Sequence, residues 1–377
     1  MTITVERANW FAVSAVAVGT FSVVTSEMLP VGLLTSIGSG LGVSDGTAGL
    51  TMTAPGLVAA VAAPVLAVTA RGVDRRTLLG ALMLLLAAAN LLTALAPDYW
   101  VMLAARLLVG VSIGGFWAFA AGLGVRLAPE RSVGRATALI SGGISVASVL
   151  GVPAGTFLAQ LAGWRAAFAA VAVLALGVFA AIALTVPPLP AGPAVRLRDL
   201  GPVRVVMAVT ALLVTGHFAA YTYVRPFLEQ VSGAGAGLVT AALLLYGVAG
   251  VLGNFAAGAR AARAPRRTLV TLAALIALAT AALPLIGQPL PVLALWGVAY
   301  GGVSVSLQLW VIKAGGGDAA MAVFTSVFNA AISLGALLGG RIVDGISIPA
   351  VMWAGAALAC VSAACAGIWG RSTTNGS

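Results

Sequence analysis

WFAVSAVAVGTFSVVTSEMLPVGLL, residues Trp10 to Leu34, is hydrocarbon along almost its whole length and carries one carboxylate, Glu27. A helix needs about 20 apolar residues to cross a bilayer core, and this run supplies them. An acid inside such a span is unfavourable unless it faces a bundle interior or a water-filled cavity, so it is a functional candidate by default. Pro30 has no N–H to give the Ser26 carbonyl, so a polar backbone group is freed beside the acid. Burial disfavours the charged form of a carboxylate, which suits Glu27 to taking up and releasing a proton. The competing reading is an acid that snorkels to the outer interface or pairs with an arginine for structure.

The rest of the chain repeats this texture. Of its 377 residues 61% are hydrophobic and 8% charged, against roughly 25% charged in soluble domains. The composition predicts an integral membrane protein. The formal net charge is +10, but the basic residues lie in short runs between apolar segments. That arrangement sets topology and contacts membrane lipid; it is no nucleic-acid footprint. Twelve apolar segments are expected, near 10–35, 47–70, 77–96, 99–124, 134–161, 165–186, 203–228, 237–259, 268–287, 290–312, 320–342 and 348–369. The fold class read from them is an all-α membrane protein of twelve transmembrane helices. The one sizeable interruption, Pro187 to Pro202, reads as a cytoplasmic linker between a six-helix half at 1–186 and another at 203–377.

Arg7, Arg71–Arg75–Arg76, Arg126–Arg131–Arg135, Arg196–Arg198–Arg204, Arg260–Arg263–Arg266–Arg267, Lys313 and Arg371 all fall on one side under this count. The opposite loops carry Arg165 and Arg341 beside Asp45, Asp98, Glu229 and Asp344. The basic side is expected to be cytoplasmic, with both termini there, in a bacterial plasma membrane. The N-terminus does not read as a cleavable signal. Cys360 and Cys365 read as small buried residues, because positions five apart on a helix do not face each other. With one histidine no His-based metal cluster is expected, and no phosphate-binding GxxxxGK[ST] loop occurs, so neither a cofactor nor an ATPase is implied.

Two loops echo each other: Ala63 to Leu79 (APVLAVTARGVDRRTLL) and Ala256 to Val270 (AAGARAARAPRRTLV) both end in a double arginine followed by threonine and leucine. Parallel halves related by an axis along the membrane normal would produce that. Four further stretches stand out. Ser141 to Thr156 reads SGGISVASVLGVPAGT, with Gly143, Ala147, Gly151 and Gly155 spaced by four and Pro153 beside them. Small residues at that interval let a neighbouring helix approach closely, and the proline bends the helix there. Arg106 lies in AARLLVGVSIGGFW, inside the fourth segment, where a guanidinium must find acceptors, find a carboxylate such as Glu27, or snorkel outward. The basic loops hold Arg71, Asp74, Arg75 and Arg76 in the first half and Gly258, Arg263, Arg266 and Arg267 in the second, with Ala262 and Pro265 among them. Gly216 to Gly233, GHFAAYTYVRPFLEQVSG, adds His217, Tyr221 and Tyr223. His217 is a candidate proton relay or a hydrogen-bonded structural residue.

On these motifs the chain resembles the major facilitator superfamily, within it the twelve-helix drug:proton antiporters, and among those the bacterial sugar-efflux and chloramphenicol-resistance permeases. The resemblance implies a proton-coupled exporter of small hydrophobic or amphipathic molecules, working as a monomer by alternating access. It ties Arg106 to proton coupling, beside Glu27 as read from its apolar span, and gives the stripe Gly143, Gly151, Pro153 and Gly155 a packing role that seals the halves against leak. Substrate contacts are expected from Phe21, Phe116, Trp117, Tyr221, Tyr223, Trp310, Phe328 and Asn329. So aromatic a set favours a neutral or weakly charged, partly aromatic substrate such as an amphenicol. A sugar such as arabinose is the alternative, since each hydroxyl left unpaired in a dry pocket costs about 1–3 kcal/mol. A symporter of the same fold, a membrane-embedded enzyme and a non-transporting sensor are the rival classes. The enzyme is disfavoured because no cluster of catalytic acids, histidines or metal ligands is visible.

Overall fold

The computed structural model describes residues 9–70, 72–120, 123–189, 201–315 and 318–369, apart from the side chains of 125, 202, 318 and 319. Arg7, Arg71, Arg371 and most of the expected linker, with Arg196, Arg198 and Asp199, lie outside the described residues. Among the described residues there are helices and no strands, and twelve helices are long and apolar enough to span a membrane. They are α1 Trp10–Leu41, α2 Asp45–Thr69, α3 Arg75–Leu95, α4 Tyr99–Ala120, α5 Glu130–Ala162 and α6 Trp164–Thr185. The second set is α7 Arg204–Tyr221, α8 Ala236–Ala261, α9 Pro265–Ala282, α10 Pro289–Lys313, α11 Ala320–Gly345 and α12 Ile348–Ile368.

The boundaries depart from the apolar runs where backbone chemistry intervenes. α1 continues to Leu41 and stops where Gly42 adopts a φ of 68°, its N–H donating to the Gly38 carbonyl. α7 ends at Tyr221 and not near 228, because Pro226 cannot donate to the Thr222 carbonyl; the chain proceeds through Val224–Pro226 and a π-turn at Phe227–Val231. α9 starts early, with Pro265 in its first turn, where a missing N–H is harmless. Cys365 is buried as expected, but Cys360 is exposed, since five residues turn it onto the outer face of α12.

α1 is the axial helix: 78% of its apolar window is buried, against 39% for α2, α5, α6, α8 and α11. Around it, glycines set the spacing of the other helices. On α4, Gly110 and Gly114 face the Pro55 and Ala59 carbonyls of α2 so closely that a Cβ would collide with them. On α10, Gly297 and Gly301 do the same against the Tyr246 and Gly250 carbonyls of α8. The contact thus recurs in both halves of the sequence. So does another: Arg76 of α3 donates to the Ala183 carbonyl at the end of α6, while Arg266 of α9 donates to Ala366 O (2.9 Å) and Gly367 O (2.8 Å) at the end of α12.

The hydrogen bonds joining the first six spans to the last six gather at the end opposite these arginines. Ser44 Oγ donates to Asp344 Oδ2 (2.6 Å), and the Gly46 N–H to Asp344 Oδ1 (3.0 Å). Gln230 Nε2 donates to Asp45 Oδ2 (2.7 Å), Arg225 to the Gly32 carbonyl, and Gln160 Nε2 to Thr240 Oγ1 (2.7 Å). Arg225 is also paired with Glu229 at 2.8 Å. The bundle is tied shut at that end.

Candidate functional site

Glu27 sits near the middle of α1 and is 7% exposed. Among the described residues its carboxylate has no ion pair and no hydrogen-bond donor; Arg106 and Tyr300 lie within its electrostatic reach. Arg106 is wholly buried and turned inward, so it does not snorkel. Its Nε donates to the Thr51 carbonyl of α2 (2.9 Å), Nη1 to Ser26 O (3.0 Å) and Nη2, over a longer 3.4 Å, to Glu27 O. The acceptor at Ser26 is the carbonyl that Pro30 leaves open, so the guanidinium occupies the vacancy made by the proline. Arg106 stands one turn before Gly110 on the same face of α4, which is why it meets α2 at Thr51, one turn before Pro55. Ser26 is held further by Asn90 of α3, its Oγ donating to Oδ1 at 3.0 Å. The first half therefore fixes the backbone around the acid while leaving the acid's own oxygens unpaired.

The second half supplies rings. His217, Phe218 and Tyr221 of α7, Tyr246 of α8, and Trp296 and Tyr300 of α10 form one cluster. His217 stacks face to face with Tyr300 (3.3 Å between centroids, 4° between planes), and Tyr221 stacks on Tyr246 at 4.7 Å and 27°. Trp296 Nε1 donates to His217 Nδ1 at 3.1 Å. An indole nitrogen only donates, so Nδ1 accepts and the imidazole proton belongs on Nε2, facing the Tyr246 hydroxyl at 3.5 Å. That arrangement requires neutral His217 and makes it a ring held in place, not a free proton carrier. Tyr300 is half-buried and is the ring of the cluster on which the Glu27 charge acts.

Of the aromatic residues expected to contact substrate, Tyr221 alone joins this cluster, beside His217. Phe116 is fully buried, edge-on to Trp117 at 6.2 Å and against Gly19 of α1. Phe21, Trp117 and Phe328 are half-buried, Phe328 packing on Phe324 at 5.8 Å. Asn329 donates to Thr325 O (2.9 Å) and presents its backbone to Gly56 of α2. Tyr223 lies at the closed end, donating to Ala336 O (2.8 Å) and wedged among Gly49, Gly339 and Gly340. Trp310 lies at the opposite, basic end beside Lys313. Tyr246, Trp296 and Tyr300 were not singled out from the sequence, although Trp296 and Tyr300, like His217 and Tyr221, are four apart and so share a helix face.

The glycine stripe packs within the first half. Gly143 abuts Ala17 and Thr20, a Cβ on Gly151 would stand 2.6 Å from Thr25 Oγ1, and Gly155 abuts Leu29, so the stripe lies on α1. Residues four apart drift by about 40° around an α-helix. The π-turn at Ala147–Gly151, beside Pro153, underwinds α5 and keeps the three glycines on one partner. The contact between halves at α5 is made from its next face, where Ser148 and Val149 meet Gly247 of α8. The face of α5 that meets the second half therefore lies beside the stripe on the same helix, and the stripe itself packs on α1.

Residues 16–319 match the family model described as Major Facilitator Superfamily. The chain is 34% identical over 383 aligned positions to transcription regulatory protein OpdE of Pseudomonas aeruginosa, covering 95% of this chain and 93% of that one. It is 31% identical to the purine ribonucleoside efflux pump NepI of Escherichia coli, over 91% of this chain and 90% of that one. Its backbone superposes with a TM-score of 0.73 on a bacterial homologue of the human lysosomal transporter Spinster, crystallised inward-facing and occupied, at 15% identity and 96% coverage of each chain. Twelve apolar helices in this arrangement make a multi-pass membrane protein, and the chain belongs to the Major Facilitator Superfamily.

Proposed function

We propose that the protein exports small, neutral, partly aromatic molecules in exchange for protons. The observation that carries this reading is the pairing of an unpartnered buried carboxylate, Glu27, with a cluster of six rings on the other half of the bundle. A flat, uncharged ring system gains stacking from Tyr300 and its neighbours. Among the described residues Glu27 is the one carboxylate at this depth, so multiply charged cations would lack counter-charge and should be poor substrates. Amphenicols fit that description. So do nucleosides, and a 31% identical relative is named as a purine ribonucleoside efflux pump. Arabinose-like sugars are the alternative substrates.

In this mechanism the halves rock about the midplane site. The hydrogen-bonded closure through Asp344, Asp45 and Arg225 corresponds to the state open toward the basic end, which we place in the cytoplasm of a bacterium. Substrate enters there while Glu27 is deprotonated. After the closure breaks, Glu27 takes a proton from outside and substrate leaves. Competition of proton and substrate for one conformational equilibrium yields antiport by linkage. The test is competitive uptake into inverted vesicles with an imposed proton gradient. Accumulation of aromatic neutral compounds that collapses with a protonophore supports the reading; accumulation of a pentose alone would overturn the substrate class. A second reading, a sensor, is favoured by the name of the 34% identical relative. It predicts no uphill flux of any compound in the same vesicles.

A further inference from the structure

We infer that the basic end of the second half carries a binding site for the headgroup of an anionic phospholipid. A cavity of about 270 Å³ opens where α9 begins and α10 ends, lined by Arg263, Pro265, Arg266, Arg267, Trp310 and Lys313. No acid lines it. Arg266 holds the end of α12 through Ala366 and Gly367, while Arg263, Arg267 and Lys313 are exposed. The Lys313 ammonium donates to the Arg263 carbonyl at 3.1 Å, which ties the α10 terminus to the loop and fixes the cationic rim.

The first half shows what is missing here. At the matching start of α3, Asp74 accepts from the Arg76 and Thr77 amides at 2.9 and 3.2 Å, so an internal carboxylate caps the helix beside its arginines. At the start of α9 that place belongs to Ala264, which caps nothing. The Arg267 amide, three residues after the capping position as Thr77 is, therefore lacks the carboxylate its counterpart has, in a cavity whose described lining is cationic. A phosphate oxygen supplies both the acceptor and the counter-charge. The source is lipid and not free phosphate, because the rim adjoins membrane-facing hydrocarbon. Ile312 beside Lys313 and Ile368 at the end of α12 are 57% and 63% exposed, where acyl chains would lie. Basic pockets between spans at this depth are suited to anionic headgroups.

The experiment uses the full chain in nanodiscs and in detergent, with bound lipid counted by native mass spectrometry. Phosphatidylglycerol should be retained over phosphatidylcholine of the same chains. Each neutralised cation should weaken retention roughly five-fold, so Lys313→Gln falls about that far and the triple variant Arg263→Gln/Arg267→Gln/Lys313→Gln by roughly a hundred-fold. A control with Arg131→Gln and Arg135→Gln, exposed on the same side in the first half, should retain phosphatidylglycerol as the native chain does. Equal retention of phosphatidylcholine by the native chain would overturn the site without any variant. Equal loss in the control would reduce it to general surface charge and overturn it too. Displacement of the lipid by millimolar inorganic phosphate would overturn the lipid as the ligand.

Discussion

Arg106→Met should destabilise the protein, and Pro30→Ala should restore part of the loss, because the arginine fills an acceptor that the proline leaves open. Arg106 reaches three backbone carbonyls on two helices, at 2.9 Å (Thr51), 3.0 Å (Ser26) and 3.4 Å (Glu27). The third is long enough to count for little. In water-soluble proteins charge-assisted bonds contribute about 1.5–3 kcal/mol each. Between membrane helices the measured mean is nearer 0.6 and the maximum about 1.7, because the unfolded chain in the membrane finds partners too. The membrane scale applies here, so two good bonds amount to about 1–3 kcal/mol. The loss at Ser26 can be repaired locally. Alanine at position 30 brings the N–H that proline lacks and donates it to the same carbonyl four residues back. In the Arg106→Met background that gain should be about 0.6–1.7 kcal/mol; beside an intact Arg106 it should be smaller, since the carbonyl is already engaged. The assay is a double-mutant cycle on unfolding free energies measured by steric trapping in bicelles, with an expected coupling of roughly 0.5–1 kcal/mol. Coupling within about 0.3 kcal/mol of zero would refute the idea that Arg106 holds the bent α1 through the freed carbonyl.

Glu27→Gln should fold and insert normally yet lose uphill efflux, because an amide carries no proton; full resistance with normal dependence on the pH gradient would sink Glu27 as the coupling group. Gly151→Leu and Gly155→Leu drive side chains into Thr25 and Leu29, so both should cost about 1–3 kcal/mol and either stop transport or leak protons. Normal flux and normal leak in both would show that α5 and α1 need not lie so close. Asp344→Ala removes the acceptor of Ser44 and of the Gly46 amide and should favour opening of that end by about 1–1.5 kcal/mol, roughly ten-fold in the labelling rate of a cysteine placed at Thr47. An unchanged labelling rate would mean the closure does not depend on Asp344.

Much of this fold is legible in the chain, because the features that set it are local. Apolar runs gave twelve spans, and Pro30 announced a free carbonyl at Ser26 with no knowledge of any other helix. What takes that carbonyl is a question about neighbours. Arg106 could equally have sought the Glu27 carboxylate, and only the α4–α2 glycine contact, which sets Arg106 opposite Thr51, decides it. The aromatic cluster was half visible for the same reason. His217 with Tyr221, and Trp296 with Tyr300, each announce a shared face four residues apart. That the two faces meet depends on α7 and α10 being adjacent, which spacing along one helix does not encode. Tyr223 was misleading because its helix ends at Tyr221; two residues later the chain has turned into the closed end. Trp310 lies ten residues beyond Tyr300, about 15 Å along an ideal helix, and so belongs to the basic end.

The two halves share a backbone plan and divide the chemistry between them. Gly110 and Gly114 against α2 match Gly297 and Gly301 against α8, yet one turn earlier on the same face stands Arg106 in the first half and the apolar Leu293 in the second. The first half spends its polar side chains on fixing the backbone around Glu27, through Arg106, Asn90 and Ser26. The second half satisfies its one histidine internally, through Trp296, and offers aromatic faces with no opposing charge. In the proposed mechanism an acid on one half and rings on the other are brought together or parted as the halves rock. A substrate bridging both therefore binds one arrangement better than the other, and so does a proton on Glu27. Differential affinity for two arrangements is all that coupling requires. The asymmetry between the halves, more than any single residue, is what would let this symmetric scaffold exchange one ligand for another.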